Sequence, residues 1–203
     1  ARYFPKIKIQ TVFHQKDKEF FEKIDSIEKL ELIPGRVKFD TSLVKYSQEI
    51  EDFYKDIELK MMRICRIGDF YFETITAMIS FLEEQLKLNK KSRLIIIGHV
   101  EDDKFIYKLQ DLIKSKSLSE YVLILTDSHH TINASGFLYY SNIVMGTGRS
   151  FMEAAAYGHI MLAPVANSKF PTLATLENIE ILESNNFSTR IPKSNTTDYY
   201  QKK

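Results

Sequence analysis

From residue 59 onward the chain alternates short, nearly unbroken apolar runs with longer stretches in which apolar residues recur every three or four positions. The short runs are Leu59 to Ile67, Leu94 to Gly98, Tyr121 to Leu125, Ile143 to Met145 and Ile160 to Ala163. Continuous apolar runs of this length read as strands buried on both faces, the kind found in parallel sheets. Between them, Phe70, Ile75, Met78, Ile79, Phe81, Leu82 and Leu86 cover much of a helix over residues 70–86. Over 102–114, Phe105, Ile106, Leu109, Leu112 and Ile113 form one apolar face of an otherwise charged helix. Further helices are predicted over 135–140, from Arg149 to a stop at Gly158, and near 173–183. Strands alternating with helices predict an α/β fold, a doubly wound parallel sheet with right-handed crossovers. Such sheets bind ligands beyond the carboxyl ends of their strands, where the strand order reverses.

The first third of the chain is patterned differently. Ile7 to Phe13 alternates, as a strand with one wet face does, and His14 closes it; residues 16–30 read as a charged helix. Leu43, Val44, Ile50 and Phe53 predict another helix over 41–56, its charges forming a solvated face. At the far end, residues 185–203 are polar with little to bury, so fraying is expected there.

Composition narrows the class. The 203 residues carry a net charge of +1, which calls for neither nucleic acid nor an anionic membrane as partner. With 14 Phe and 11 Tyr against 7 Gly and 5 Pro, the chain has the means to build a core. A single cysteine, Cys65, excludes an internal disulfide and suits a reducing, cytoplasmic setting, as a buried filler or a reactive thiol. No apolar run is long enough to span a membrane. Walker-type Gly-Lys-Ser/Thr, His-Glu-x-x-His and Gly-x-Ser-x-Gly motifs are all missing from the sequence, which removes support for the corresponding nucleotidase and hydrolase readings.

The candidate chemistry gathers after the strand at Ile143. There Gly146-Thr147-Gly148 makes a turn into the helix that begins at Arg149. Glycines allow a ligand close to the backbone, and the helix start offers unpaired N–H groups and a positive dipole to a phosphate. Glu153, one turn in, leans back over the loop, where its carboxylate can accept bonds from sugar hydroxyls. The alternative reading is a plain strand-to-helix turn with a solvated glutamate. A second candidate is the polar hexapeptide Thr126 to Thr131, in which Asp127 with His129 or His130 is either an acid/base pair or a loop; His99, after Gly98, faces the same choice.

The run Gly146-Thr-Gly-Arg-Ser-Phe-Met-Glu-Ala-Ala-Ala-Tyr-Gly-His-Ile-Met-Leu162 resembles the nucleotide-sugar segment of GT-B glycosyltransferases of the group 1 type. The resemblance implies a Rossmann-like donor-binding half, a nucleoside-diphosphate sugar as donor substrate, and no metal or other cofactor. It implies ribose recognition by Glu153 and a donor site that includes Gly146, Thr147, Gly148, Ser150 and Gly98. Arg66, after the strand at 59–67, matches the family's diphosphate-binding arginine, and Arg149 adds a second cation for the leaving group. Two departures stand out. The family's other glutamate, near the transferred sugar, corresponds to Met145, and its lysine five or six residues after the arginine corresponds to Tyr71 and Phe72. Leu32 to Asp40 resembles the family's interdomain hinge. The expected layout is therefore residues 1–33 as the tail of a missing N-terminal domain or a linker, 34–190 as the donor domain and 191–203 as a polar tail. An acceptor, a sugar or a lipid-linked one, would be held by the missing domain, and the domain alone would bind without turnover. Cell-surface polysaccharide synthesis is the expected setting. Two rival readings remain open: an epimerase of the same architecture, and a non-catalytic binding module.

Overall fold

The computed structural model describes residues 6–12, 15–24, 26–33, 37, 44–189 and 191. The hinge-like Pro34-Gly35 and His14 lie outside the described residues, as does most of the polar tail.

The first elements form a small unit of their own. Strand β1 (Gln10–Val12), helix α1 (Gln15–Phe21) and strand β2 (Leu30–Leu32) are followed in turn, and the two strands pair in parallel. Two expectations are corrected here. The helix predicted over 16–30 stops at Phe21, and residues 30–32 leave it to become a strand in register with β1. A three-residue strand centred on Glu31 has too short a pattern to be seen in the sequence.

The rest follows the predicted alternation. Helix α2 (Gln48–Phe53) leads to β3 (Leu59–Ile64), α3 (Asp69–Lys87), β4 (Ser92–Ile97), α4 (Asp103–Ser115), β5 (Val122–Leu125) and a one-turn α5 (Ser128–Thr131). A 3-10 helix (Ala134–Tyr140) then delivers β6 (Ile143–Met145), α6 (Arg149–Ala156), β7 (Ile160–Ala163), β8 (Thr172–Leu173) and α7 (Ile179–Ser184). The strand order is β5-β4-β3-β6-β7-β8, parallel throughout except for the antiparallel edge strand β8. Helices near 41–56 and 173–183 are shorter than predicted, and the start of the latter stretch is β8.

Alternation along each strand divides the core between the two faces. Met61, Leu94, Ile96, Ile143 and Met145 pack under α3 and α4, against Ile75, Met78, Ile79, Leu82, Phe105, Leu109 and Ile113. Met62, Ile95, Ile97, Val144 and Ala163 pack on the other face, with Ile50, Tyr54, Phe137, Phe151 and Leu182. Each such fully buried side chain contributes about 1.5–3 kcal/mol relative to exposure, so both layers are needed to hold the sheet.

After β3 the chain moves outward through β4 to β5, then returns across the sheet to lay β6 on the opposite side of β3. The strand order therefore reverses between β3 and β6, whose ends pair Arg63 with Met145. The C-terminal stretch is better built than its polarity predicts. Asn185, Phe187 and Ile191 are buried, and the Phe187 ring stacks on Phe151 at 3.9 Å and 6°.

Candidate functional site

The reversal opens a cleft of about 570 Å³ beyond β3 and β6. Arg66, Phe70 and Tyr71 line one wall, just past β3 and at the start of α3. Thr147, Gly148, Arg149 and Ser150 line the other, with Asn186, Ser188 and Thr189 from the segment after α7 closing the side; Ile64 and Cys65 also line it.

Helix starts face this cleft from both walls, and neither is capped by a side chain. The helices α2, α4 and α5 have Ser47, Asp102 and Asp127 as N-caps, each accepting a backbone N–H. The helices α3 and α6, which leave β3 and β6, begin instead at Gly68 and Gly148 with no side-chain cap bond. The start of α6 therefore opens on the cleft at Gly148, while the Glu101 side chain lies against Gly68 at the start of α3; each helix dipole places positive charge at that end. Gly148 takes φ 51° and ψ −122°, a region that side chains with a Cβ resist. Its N–H donates to the Asn186 carbonyl at 2.9 Å, which ties the turn to the segment after α7. Ser150 Oγ fastens the same turn, accepting from the Thr147 N–H at 3.1 Å and donating to the Thr147 carbonyl at 3.0 Å.

Arg66 is exposed at the cleft, 5.5 Å from the Tyr71 ring centre, and its Nη1 meets Glu101 Oε1 at 2.6 Å. The Tyr71 hydroxyl first, then the Glu101 carboxylate, raise the guanidinium's hold on its proton. Opposite, the exposed Arg149 bonds Glu153 through Nε and Oε1 at 2.7 Å. Glu153 is thus one turn inside α6 as expected, yet its carboxylate is held by Arg149 and it does not line the cleft.

The remaining candidates fall elsewhere. Gly146 continues β6, where its N–H donates to Leu162; a Cβ there would lie 2.4 Å from the Phe151 Cα. Gly98 is the contact between β4 and the end of β3, where a Cβ would lie 1.7 Å from the Cys65 carbonyl oxygen. Both glycines serve close packing of the walls and neither lines the cleft. His99 is exposed and does not line the cleft. Met145, where the resemblance sets a glutamate, is fully buried beneath α3. Tyr71, where it sets a lysine, puts an aromatic ring into the same wall of the cleft as Arg66.

Asp127 and His130 do pair, Oδ2 to Nδ1 at 2.6 Å, and His130 Nε2 lies 3.2 Å from Ser47 Oγ. The order resembles a nucleophilic triad, but Ser47 is buried and its hydroxyl accepts from the Ile50 N–H, as a helix cap does. None of the three lines the cleft. The His130 bond holds the Asp127 carboxyl below its ordinary range. Cys65 lines the cleft floor, where burial pushes its thiol up and the neighbouring Arg63 guanidinium works against the rise.

Sequence reasoning did not find Arg63, Glu101, Phe70 or Asn186. Arg63 interrupts an apolar run, and that was its signal: a charged residue two positions after the buried Met61 shares the buried face of β3.

No model of a known protein family matches the chain. Among curated proteins, an 88-residue stretch is 32% identical to the mitochondrial inner membrane magnesium transporter MRS2 of Candida albicans, covering 41% of this chain and 19% of the transporter. Among the described residues, no helix is long and apolar enough to cross a membrane, and no group of three or more His, Cys, Asp or Glu is placed to hold a metal ion. Among solved structures, a glycosyltransferase from Rickettsia africae superposes with a TM-score of 0.55 at 17% identity, over 76% of this chain and 43% of that one. HepE of Anabaena in complex with UDP and glucose gives 0.55 at 16%, over 78% and 44%. TarM of S. aureus, solved with UDP among its ligands, gives 0.53 at 18%, over 74% and 28%. These neighbours are GT-B glycosyltransferases, and at such identities the likeness is one of fold. The chain spans less than half the length of each of them.

Proposed function

We propose that this chain is the donor-binding half of a glycosyltransferase, taking a nucleoside-diphosphate sugar such as a UDP-sugar with its diphosphate in the β3/β6 cleft. The observation that carries this reading is convergence: two uncapped helix starts, Arg66 and Arg149 meet at one cleft at the reversal of strand order. Two structural neighbours were solved with UDP, which supports the choice of nucleotide to test first.

The chemistry such a cleft supplies is stabilisation of the leaving group. As the bond between the sugar's anomeric carbon and the β-phosphate oxygen breaks, its electron pair stays on that oxygen. Fixed cations and N–H dipoles aimed at the diphosphate offset the growing charge. Arg66 leaves Glu101 to fork onto phosphate oxygens. The start of α6 receives the other phosphate, with Arg149 above it. Freed from Arg149, Glu153 accepts the ribose hydroxyls and fixes the nucleotide's orientation. These groups bring the positive charge to the diphosphate without a metal ion. The acceptor, a sugar or a lipid-linked sugar, approaches through a further domain, in the synthesis of a glycan on the cytoplasmic side.

Calorimetric titration with UDP, GDP and ADP tests the reading. Binding of one of them that weakens about tenfold or more, about 1.4 kcal/mol, in both Arg66→Ala and Glu153→Ala is the expected result. Failure of all three at millimolar concentration, or binding indifferent to both substitutions, would remove the donor site.

A further inference from the structure

Arg63 is the largest fully buried side chain described, at 0% exposure, and no carboxylate among the described residues pairs with it. Its Nη1 donates to the Met145 carbonyl at 2.9 Å and its Nη2 to Thr74 Oγ1 at 3.0 Å, while the buried Nε has no partner. A guanidinium is a permanent cation, and burying one without a counter-charge is costly. Two neutral oxygens do not supply that charge.

The surroundings indicate where it comes from. Met145 is the last residue of β6 and Thr74 lies on the second turn of α3, so Arg63 ties together the two elements that lead into the cleft walls. The Tyr71 ring, which lines the cleft, sits 5.8 Å from the Arg63 guanidinium and 5.5 Å from that of Arg66. Cys65, two residues along the chain from Arg63, also lines the cleft. Open space therefore begins one side chain above a buried cation, and an anion there meets guanidinium groups through and beside the same aromatic ring.

We infer that Arg63 is a third, buried cation of the anion site, a positioning residue that holds the end of β6 against α3 and whose charge is balanced by a diphosphate in the cleft. This rests on the donor-site reading and extends it: the ligand supplies the missing counter-ion. In the low dielectric beneath the cleft floor the attraction is less screened than that of the exposed Arg66. It grows with the charge of the ligand, so a nucleoside diphosphate gains more from Arg63 than a monophosphate does.

The test compares UDP with UMP by calorimetry on the protein and on Arg63→Gln, Arg63→Lys and Thr74→Val, with thermal denaturation alongside. Wild type prefers UDP. Arg63→Gln should cut that preference by about tenfold. Arg63→Lys, which keeps the charge, should hold it within about threefold of wild type. Thr74→Val, which removes only the hydroxyl that orients Nη2, should cut it by about threefold; it decides the matter if Arg63→Gln does not fold. A lowered Tm with an unchanged UDP-to-UMP ratio in both Arg63→Gln and Thr74→Val would make Arg63 a structural staple alone, leaving the donor site intact. Absence of UDP, GDP and ADP binding to the wild type would remove the donor reading and this inference together.

Discussion

Arg149 and Glu153 close on each other across one turn of α6, Nε to Oε1 at 2.7 Å, so the cation proposed for phosphate and the carboxylate proposed for ribose hold one another at the edge of the cleft wall. The pair is a latch rather than a brace. Because Arg149 is largely exposed, the bond contributes little to stability, less than about 1 kcal/mol. On the proposed donor reading, nucleotide binding parts it. Glu153→Ala is expected to weaken UDP about tenfold while leaving inorganic pyrophosphate within about twofold. A titration in which both ligands weaken equally would make Glu153 a support for the phosphate turn and not a sugar contact.

Glu101 occupies Arg66 in the same way on the opposite wall, with 2.6 Å between Nη1 and Oε1. On the proposed donor reading, a diphosphate competes with that carboxylate. Glu101→Gln should tighten UDP by about threefold at low ionic strength, with the gain shrinking as salt rises. Weaker binding in this variant would instead make Glu101 the group that aims Arg66.

Gly98 and its neighbour His99 separate packing from ligand contact. Gly98→Ala drives a Cβ onto the Cys65 carbonyl, a backbone atom that cannot step aside, and should cost more than about 4 kcal/mol or prevent folding. His99→Ala, at an exposed position, should stay within about 0.5 kcal/mol and leave nucleotide binding unchanged. Denaturant midpoints measure the first and calorimetry the second; a His99→Ala variant that loses UDP would draw the cleft's boundary wider than the structure does.

Ser47, His130 and Asp127 are in hydrogen-bonded series, but Ser47 and Asp127 act as the N-caps of α2 and α5, and His130 bridges them. Ser47→Ala should cost about 1 kcal/mol and leave UDP affinity as it was. Loss of an esterase-type activity on substitution would overturn the cap assignment.

His159 carries a pH dependence. Burial holds its imidazole below the ordinary value of 6.5, against a hydrogen bond to the Leu138 backbone that works the other way, and its Nε2 is buried without a partner. The unfolded chain takes a proton on this group near 6.5, whereas the folded one does so only at lower pH. Its contribution to stability is therefore complete above that value and is lost as the pH falls toward the folded one. His159→Phe keeps a ring against Tyr157 and removes the titration. Its Tm should change less than that of wild type between about pH 7.5 and about pH 5.5, and parallel curves would put the proton elsewhere.

The sheet was legible because its strands are buried on both faces and therefore continuously apolar, and because the intervening helices repeat every three or four residues. What escaped was short or locally masked. Leu30 to Leu32 spans too few residues to show a period, and Thr172–Leu173 is an edge of two. The segment after α7 looked unable to pack, yet Asn186 and Phe187 take left-handed backbone angles, φ 55° and 51°, that seat Phe187 on Phe151. Of the candidate site, the turn at 147–150 and Arg66 were readable from residue type and from position at strand ends. The pairing of Arg149 with Glu153 was implicit in their spacing of four. Glu101 and Arg63 were not readable as site residues, since both owe their places to approaches between strands distant in sequence.

That distance has a consequence of its own. Arg63 and Met145 sit side by side in the sheet but 82 positions apart along the chain. Such pairing must close a long loop before it is rewarded. A polypeptide emerging during synthesis has β3, β4 and β5 in hand well before β6 exists. The cleft is therefore a late product of assembly, and a nucleotide that needs both of its walls has nothing to bind on the half-made chain. Such a ligand holds the finished sheet together by slowing its opening and does nothing to hasten its formation.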